Sequence, residues 1–376
     1  MRKSLLITLQ FPPQIGGVQT YLSEITRHVP SEWVDVLAPG DMKQEVVEDG
    51  VRITRATFTT KILWPRWIPV LFRLFALTFQ RKYSLLIAGQ VLPVGIAVFI
   101  VSRLTKVPYI IFAHGMDVLI PLKSTRKRSI SQRIFKNAER IFCPSEYSRQ
   151  LVISLGVDET RCKVLHPCID ASSMIRVTDD MRKSVRSRFG IRADTVLLTV
   201  ARLVKRKGHM SVLQALAGIR SEIPDFQYVI VGDGPMAEAI DAEIIRLRLG
   251  DIVIRTSLVD PPTLNVLYDI ADVFVLPVLP DPAGEDVEGF GIVYQEALVH
   301  DAAVIASDCG GVPDAVGDTA RLINPGNMGQ LTEALKLLIT DPVERELLVQ
   351  RGRRLIAQRT WEHELLPLTE IIRRTI

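Results

Sequence analysis

Short apolar runs of strand length recur along this chain, separated by segments of helical periodicity. In the first half they are residues 4–9, 34–38, 51–55, 84–88, 109–112, 140–143 and 163–165. In the second half they are residues 195–200, 227–231, 252–255, 273–276 and 303–307. Strands alternating with helices are joined by crossovers, which makes the sheet parallel and covers both its faces. The expected fold class is therefore α/β. A length of 376 residues suits two domains of ~150 residues or more. A break falls near residues 170–177, after His166-Pro167-Cys168. The expected domains are residues 1–170 and 171–356, with the amphipathic last helix, 357–376, returning to the first. Ligands of such sheets bind at the carboxyl ends of strands. The glycine and charge clusters lie at those ends, and two facing sheets would gather them into a central cleft.

Residues 285–316 read EDVEGFGIVYQEALVHDAAVIASDCGGVPDAV. Glycines at 289 and 291 form a turn, and a helix begins near Ile292. A helix opening after such a turn points N–H groups and a positive dipole end outward, a seat for phosphate. Glu288 and Glu296 lie on either side of the turn, placed to bind neutral hydroxyls. Phosphate between hydroxyl-binding carboxylates describes a sugar nucleotide. Read singly, each glutamate is an ordinary first-turn helix acid. That reading leaves the second glycine turn, Gly310-Gly311, unexplained.

The net charge of +4 is too mild to point to nucleic acid. Cys143, Cys162, Cys168 and Cys309 form no CxxC pair and no metal spacing, so buried reduced thiols are expected. The dinucleotide fingerprint GxGxxG is absent, which argues against a dehydrogenase. No Asp-x-Asp motif occurs, and no run of about 20 uninterrupted apolar residues exists to span a membrane. A cytoplasmic protein is the default expectation, with a peripheral seat on the inner face of the cytoplasmic membrane as its variant.

Six markers stand in order at strand ends: Gly16-Gly17, His114-Gly115, Arg202 with Lys207-Gly208, Gly232-Asp233-Gly234-Pro235, Glu288 with Glu296, and Gly310-Gly311. On these the chain resembles the retaining glycosyltransferases of the GT-B type, family 4. The wording FPPQIGGVQTYL and DVEGFGIVYQEA is similar to the phosphatidylinositol mannosyltransferase branch. The resemblance implies two doubly wound Rossmann-like domains facing a central cleft. It implies transfer of a hexose, mannose or glucose, from a UDP- or GDP-sugar donor to a hydroxyl of a lipid-linked or glycan acceptor. No metal and no other cofactor are expected. The catalytic residues it implies are His114, Arg202, Lys207 and Glu288, with Arg202 and Lys207 clamping the diphosphate. Donor-binding residues would be Gly16, Gly17, Phe290, Gly291, Ile292 and Glu296, the last on the ribose. Asp117, Gly232 and Ser257 are further candidates. The chain departs from the family pattern at Ala201, Ser257 and Cys168, each standing where glycine is common.

On the acceptor side, residues 63–79 (LWPRWIPVLFRLFALTF) mix aromatic and apolar residues with Arg66 and Arg73, and residues 123–128 (KSTRKR) are basic. Both suit an anionic membrane surface. A core helix beside a solvated loop explains them equally well at this level. Two rival activities remain open from sequence: a nucleotide-sugar epimerase of the same fold, and a non-catalytic sugar-nucleotide sensor.

Overall fold

The structure, a computed structural model, describes residues 2–40, 45–60, 64–81, 83–171, 174–223, 225–284 and 286–375. Leu63 and Glu285, which open two segments singled out above, lie outside the described residues. The chain divides into two compact units, Met1–Pro167 with Trp361–Ile376, and Cys168–Thr360.

In the first unit the strands are β1 (Ser4–Ile7), β2 (Val34–Pro39), β3 (Glu45–Glu48), β4 (Val51–Ala56), β5 (Leu85–Ala88), β6 (Tyr109–Phe112), β7 (Ile141–Cys143) and β8 (Cys162–Val164). They form one sheet in the order β3-β4-β2-β1-β5-β6-β7-β8. All pairs are parallel except the β3–β4 hairpin. In the second unit the strands are β9 (Thr195–Val200), β10 (Phe226–Val231), β11 (Val253–Thr256), β12 (Val273–Leu276), β13 (Ala303–Ser307) and β14 (Ala320–Ile323). Their order is β11-β10-β9-β12-β13-β14, parallel throughout. That is the doubly wound order 3-2-1-4-5-6.

Burial explains why these strands read as continuous apolar runs. Successive residues of a strand point to opposite faces. In the second unit Leu197, Val273 and Ile305 belong to one hydrophobic cluster, and Leu198, Phe274 and Val304 to another on the opposite face. Both faces are covered, so no polar alternation survives. In the first unit one face packs on helices Ile68–Arg81 and Val94–Thr105 through Val70, Leu74, Ala97 and Val101. The chain's last helix, Leu366–Thr375, buries Leu368 and Ile372 in this unit. Trp361 stacks on Tyr21 and His28, and the Arg373 guanidinium lies 5.2 Å over the Trp33 ring.

The elements that periodicity missed are edge and surface elements. β3 is exposed along its length and is held by an Asp49-Gly50 turn with both φ positive. β14 is an edge strand with Arg321 and Leu322 exposed. Helix Asp179–Phe189 buries only Val185 and relies on its Thr178 cap and end charges. The basic run 123–128, a loop on one reading above, proves to be mostly helix: Thr125–Asn137, capped by Ser124.

One glycine holds two strand ends of the second unit together. Gly232 follows β10 with φ 153, and a Cβ there would sit 1.9 Å from the Ala201 carbonyl oxygen after β9. Gly218, inside helix His209–Ile219, has open space where its Cβ would be. Gly232→Ala is therefore expected to destabilise this unit by about 2 kcal/mol or more. Gly218→Ala is expected to stabilise it by roughly 0.5–1 kcal/mol. Urea-unfolding midpoints of the two variants check the contrast.

Candidate functional site

The winding of the second sheet reverses between β9 and β12. In a doubly wound sheet the crevice outside that reversal is the place for a ligand. The loop after β9 carries the turn Lys205–Lys207, and the loop after β12 carries Asp286 and Glu288. The two loops are joined by charge. Arg206 Nε donates to Asp286 Oδ2 at 2.7 Å, and its Nη1 donates to Glu288 Oε2 at 2.8 Å. Lys207 Nζ donates to the same Glu288 oxygen at 2.5 Å. The Leu279 N–H donates to the Arg206 carbonyl at 2.6 Å. The Arg206, Lys207 and Glu288 side chains are only 9–12% exposed. Gly310, with φ 60, lets the next loop come close: a Cβ there would lie 2.5 Å from the Glu288 carbonyl oxygen. The Gly311 N–H donates to that carbonyl at 2.8 Å.

Burial disfavours an ionised Glu288, yet Lys207 and Arg206 outweigh it and bring its carboxyl down to about 2. Burial also pulls the Lys207 ammonium below its ordinary value, and Glu288 pulls it back up. The cluster is a set of ions already stripped of most of their water.

The other expected residues fall around it unevenly. Arg202 is mostly exposed and reaches Asp286 Oδ2 only at 4.0 Å. Phe290 is buried under the Arg359 guanidinium, 5.6 Å from its ring. Gly291 sits at the N-cap of helix Ile292–Val299, where it provides no capping side chain. Glu296 lies on that helix, half-buried, outside the ion cluster; its Oε2 accepts from the Tyr268 hydroxyl at 2.7 Å. Burial raises the Glu296 carboxyl, and the Tyr268 bond opposes the rise. Gly232 packs on the loop after β9, and Ser257 is exposed after β11.

Within the first unit, discounting the β3 hairpin, the winding reverses between β1 and β5. His114 follows β6, and its Nε2 donates to the Gly89 carbonyl after β5 at 2.8 Å, a tautomer fixed by that acceptor. The His114 N–H donates to Asp117 Oδ1 at 2.7 Å and the Val91 N–H to Oδ2 at 3.2 Å. Burial raises the Asp117 carboxyl against these bonds. Gly16 and Gly17 open helix Gly17–His28, and the space beside Gly17 is empty to 4 Å.

Two family models cover this chain in succession. Glycosyltransferase Family 4 matches residues 15–173, and Glycosyl transferases group 1 matches residues 182–355. The chain belongs to the GT-B glycosyltransferases of family 4. Its relatives include the GDP-mannose-dependent alpha-(1-6)-phosphatidylinositol monomannoside mannosyltransferase of Mycolicibacterium smegmatis, 28% identical over 93% of this chain and 92% of that protein. The GDP-mannose-dependent monoacylated counterpart of Corynebacterium glutamicum is 26% identical over 99% of this chain and 98% of that one. Among solved structures, Anabaena HepE in complex with UDP has a TM-score of 0.80 at 18% identity, covering 99% of this chain and all of the other. Sucrose-phosphate synthase from Thermosynechococcus elongatus has a TM-score of 0.82 at 20% identity, covering 100% and 99%.

Sequence reasoning about this glycosyltransferase missed Arg206, Asp286 and Tyr268. The first two lay in view, in the KRK run and the EDVE run. Only the turn after β9 decides that Arg206 faces inward while Arg202 stays exposed. The depressed Glu288 carboxyl has a stability consequence. Its contribution is complete above about 4.5, its ordinary value, and is lost as pH falls from there toward about 2. Glu288→Gln leaves Lys207 and Arg206 short of a counter-ion and is expected to cost ~3 kcal/mol at pH 7. That deficit should shrink below pH 4.5, read as urea midpoints of variant and parent across pH.

Proposed function

We propose that this glycosyltransferase moves mannose from GDP-mannose to a hydroxyl of a lipid-linked acceptor, with retention of the α configuration and with no metal. The observation that carries the donor half is the buried Arg206–Lys207–Glu288 cluster at the reversal of the second sheet. The choice of GDP-mannose and of a glycolipid rests on relatives that share most of this chain and are named for both. Those relatives also favour transfer over epimerisation or silent binding.

In the reaction the bond from the anomeric carbon to the diphosphate oxygen breaks, and negative charge gathers on the leaving phosphate. Lys207 and Arg202 would take that charge, the role a metal plays elsewhere. Lys207 is held on Glu288. An arriving diphosphate would give Lys207 a second anion, and Glu288 Oε1, which neither the Arg206 nor the Lys207 bond uses, would accept from a sugar hydroxyl. The amides at the start of helix Ile292–Val299 would add dipole and N–H donors at the same place. Glu296 would accept from the ribose hydroxyls. The acceptor proton would pass to the departing phosphate oxygen on the face the acceptor attacks, so no protein nucleophile is required. His114 Nε2 is spent on Gly89, which leaves the other ring nitrogen, Nδ1, for a sugar hydroxyl.

The lipid half is supported by exposed residues of the first unit. Helix Ile68–Arg81 buries Val70, Leu74 and Leu77, yet Phe72, Phe75 and Phe79 are 68%, 41% and 76% exposed at i, i+3 and i+7. A core helix accounts for the first set and not for the second. Trp64, just before it, is 86% exposed. This helix packs on Val94–Thr105, which in turn packs on Thr125–Asn137, where Arg126, Lys127 and Arg128 are exposed. Exposed aromatic rings on one helix and exposed cations on another suit insertion among anionic headgroups. No described helix is long and apolar enough to cross a membrane.

Lys207→Ala and Arg202→Ala should each lower turnover of GDP-mannose on the order of 100-fold; near-parental rates in both defeat the clamp. Phe72→Ser with Phe79→Ser should abolish co-sedimentation with anionic phospholipid vesicles at low salt, while turnover of a water-soluble acceptor stays unchanged. Parental binding by that double variant would refute the membrane face.

A further inference from the structure

The Glu296 carboxylate has a two-helix support that the transfer reaction, as derived above, does not use. Its Oε2 accepts from the Tyr268 hydroxyl at 2.7 Å, and its Oε1 has no protein partner among the described residues. Tyr268 stands near the end of helix Pro261–Asp269 and is 3% exposed. Its ring is clamped: His300 stacks on it with centroids 5.5 Å apart and planes 17° apart. His300 is itself held through Nδ1. Nδ1 donates to the Glu296 carbonyl at 2.7 Å, and Nε2 lies 3.0 Å from Asn265 Oδ1. Asn265 in turn donates to the Ile175 carbonyl at 2.9 Å. The stacked ring, the imidazole and the amide thus close a loop between the two helices, with the carboxylate as its last member.

A glutamate side chain has three rotatable bonds, and an unsupported one on a helix surface samples many rotamers. Here one oxygen is pinned by a buried, rigid donor, and only the other remains for a ligand. We propose that Tyr268 is a positioning residue for the donor's ribose: it pins Glu296 Oε2 so that Oε1 faces the ribose hydroxyls. This rests on the reading that Glu296 binds the ribose, and the test separates the two. A carboxylate held in one rotamer accepts two neighbouring hydroxyls without first losing side-chain entropy, so the support acts on binding and not on the chemical step. The bond is charge-assisted, and its loss is expected to cost about tenfold in affinity.

The experiment measures binding of GDP and of 2′,3′-dideoxy-GDP to the parent, Tyr268→Phe and Glu296→Gln proteins by titration calorimetry. Steady-state turnover of GDP-mannose is followed in parallel. Phenylalanine keeps the stack on His300 and removes only the hydroxyl. The expected result is a parent that prefers GDP to its dideoxy analogue. In Tyr268→Phe, GDP binding should weaken about tenfold and dideoxy binding should not change. The KM for GDP-mannose should rise in step while kcat stays within twofold. A Tyr268→Phe protein that binds GDP as the parent does, or that loses both ligands equally, overturns the positioning role. A Glu296→Gln protein that keeps the parent's preference for GDP overturns the ribose reading beneath it, whatever Tyr268→Phe does.

Discussion

Two buried cations sharing one carboxylate set the terms for the second unit. Lys207 and Arg206 sit in a turn that follows β9, and taking such groups out of water costs several kcal/mol each unless an anion accompanies them. Glu288 and Asp286 supply that anion from the loop after β12. The bond therefore does two jobs at once. It draws together two loops that are far apart in sequence, and it holds the ammonium and guanidinium in fixed, largely desolvated positions. Preorganised charge of this kind needs no reorganisation when a leaving phosphate gathers charge. An exposed cation such as Arg202 is weaker ground for a clamp until a ligand orders it.

The first unit solves the same geometric problem with little charge. At its own reversal, between β1 and β5, the connections are hydrogen bonds to backbone, amide and hydroxyl groups, with Asp117 as an acidic acceptor. The Gln90 amide donates to the Thr8 hydroxyl at 2.7 Å and accepts from the Leu9 N–H at 3.0 Å. His114 reaches the Gly89 carbonyl, and Asp117 collects two backbone N–H groups. These are directional hydrogen bonds, whereas the second unit's reversal is held by charge-assisted ones between buried ions. The same doubly wound plan carries both kinds of contact, so the fold alone does not decide which chemistry a loop cluster holds.

Much of this was legible in the sequence because burial on both faces writes an unbroken apolar run. Tyr109–Phe112, Thr195–Val200, Val273–Leu276 and Ala303–Ser307 appear in the structure with the bounds their composition suggests. Edge elements were not legible, because β3 and β14 bury too little to leave a pattern. The candidate site divides likewise. Glycines and charges marked where the loops lie, since close backbone approach demands bare residues and the loops are joined by ions. Of the three neighbouring cations, Lys207 was named from the sequence; that Arg206 also turns inward while Lys205 stays exposed was invisible, because it is set by the turn Lys205–Lys207 and by partners some 80 residues away. Tyr268 was invisible for another reason: as a large apolar ring in a helix it reads as core, and its hydroxyl carries the polar role.

The departures from the family pattern bear on how much of that pattern this backbone needs. Glycine is required where φ is positive or where a Cβ has no room. Among the described residues, the non-glycine positions with positive φ are Asp49, Lys106, Asp225, Arg248 and Asp301. Ala201, Ser257 and Cys168 are not among them, so none of the three replacements forces an unfavourable conformation. Close approach of the loops after β9 and β10 is instead met by Gly232, whose missing side chain leaves room for the Ala201 carbonyl, and by Gly234, where a Cβ would come within 2.6 Å of the Leu203 carbonyl oxygen. The requirement for bare backbone has a place in the fold and not a fixed place in the motif. A glycine lost from one loop is harmless when the neighbouring loop leaves the space.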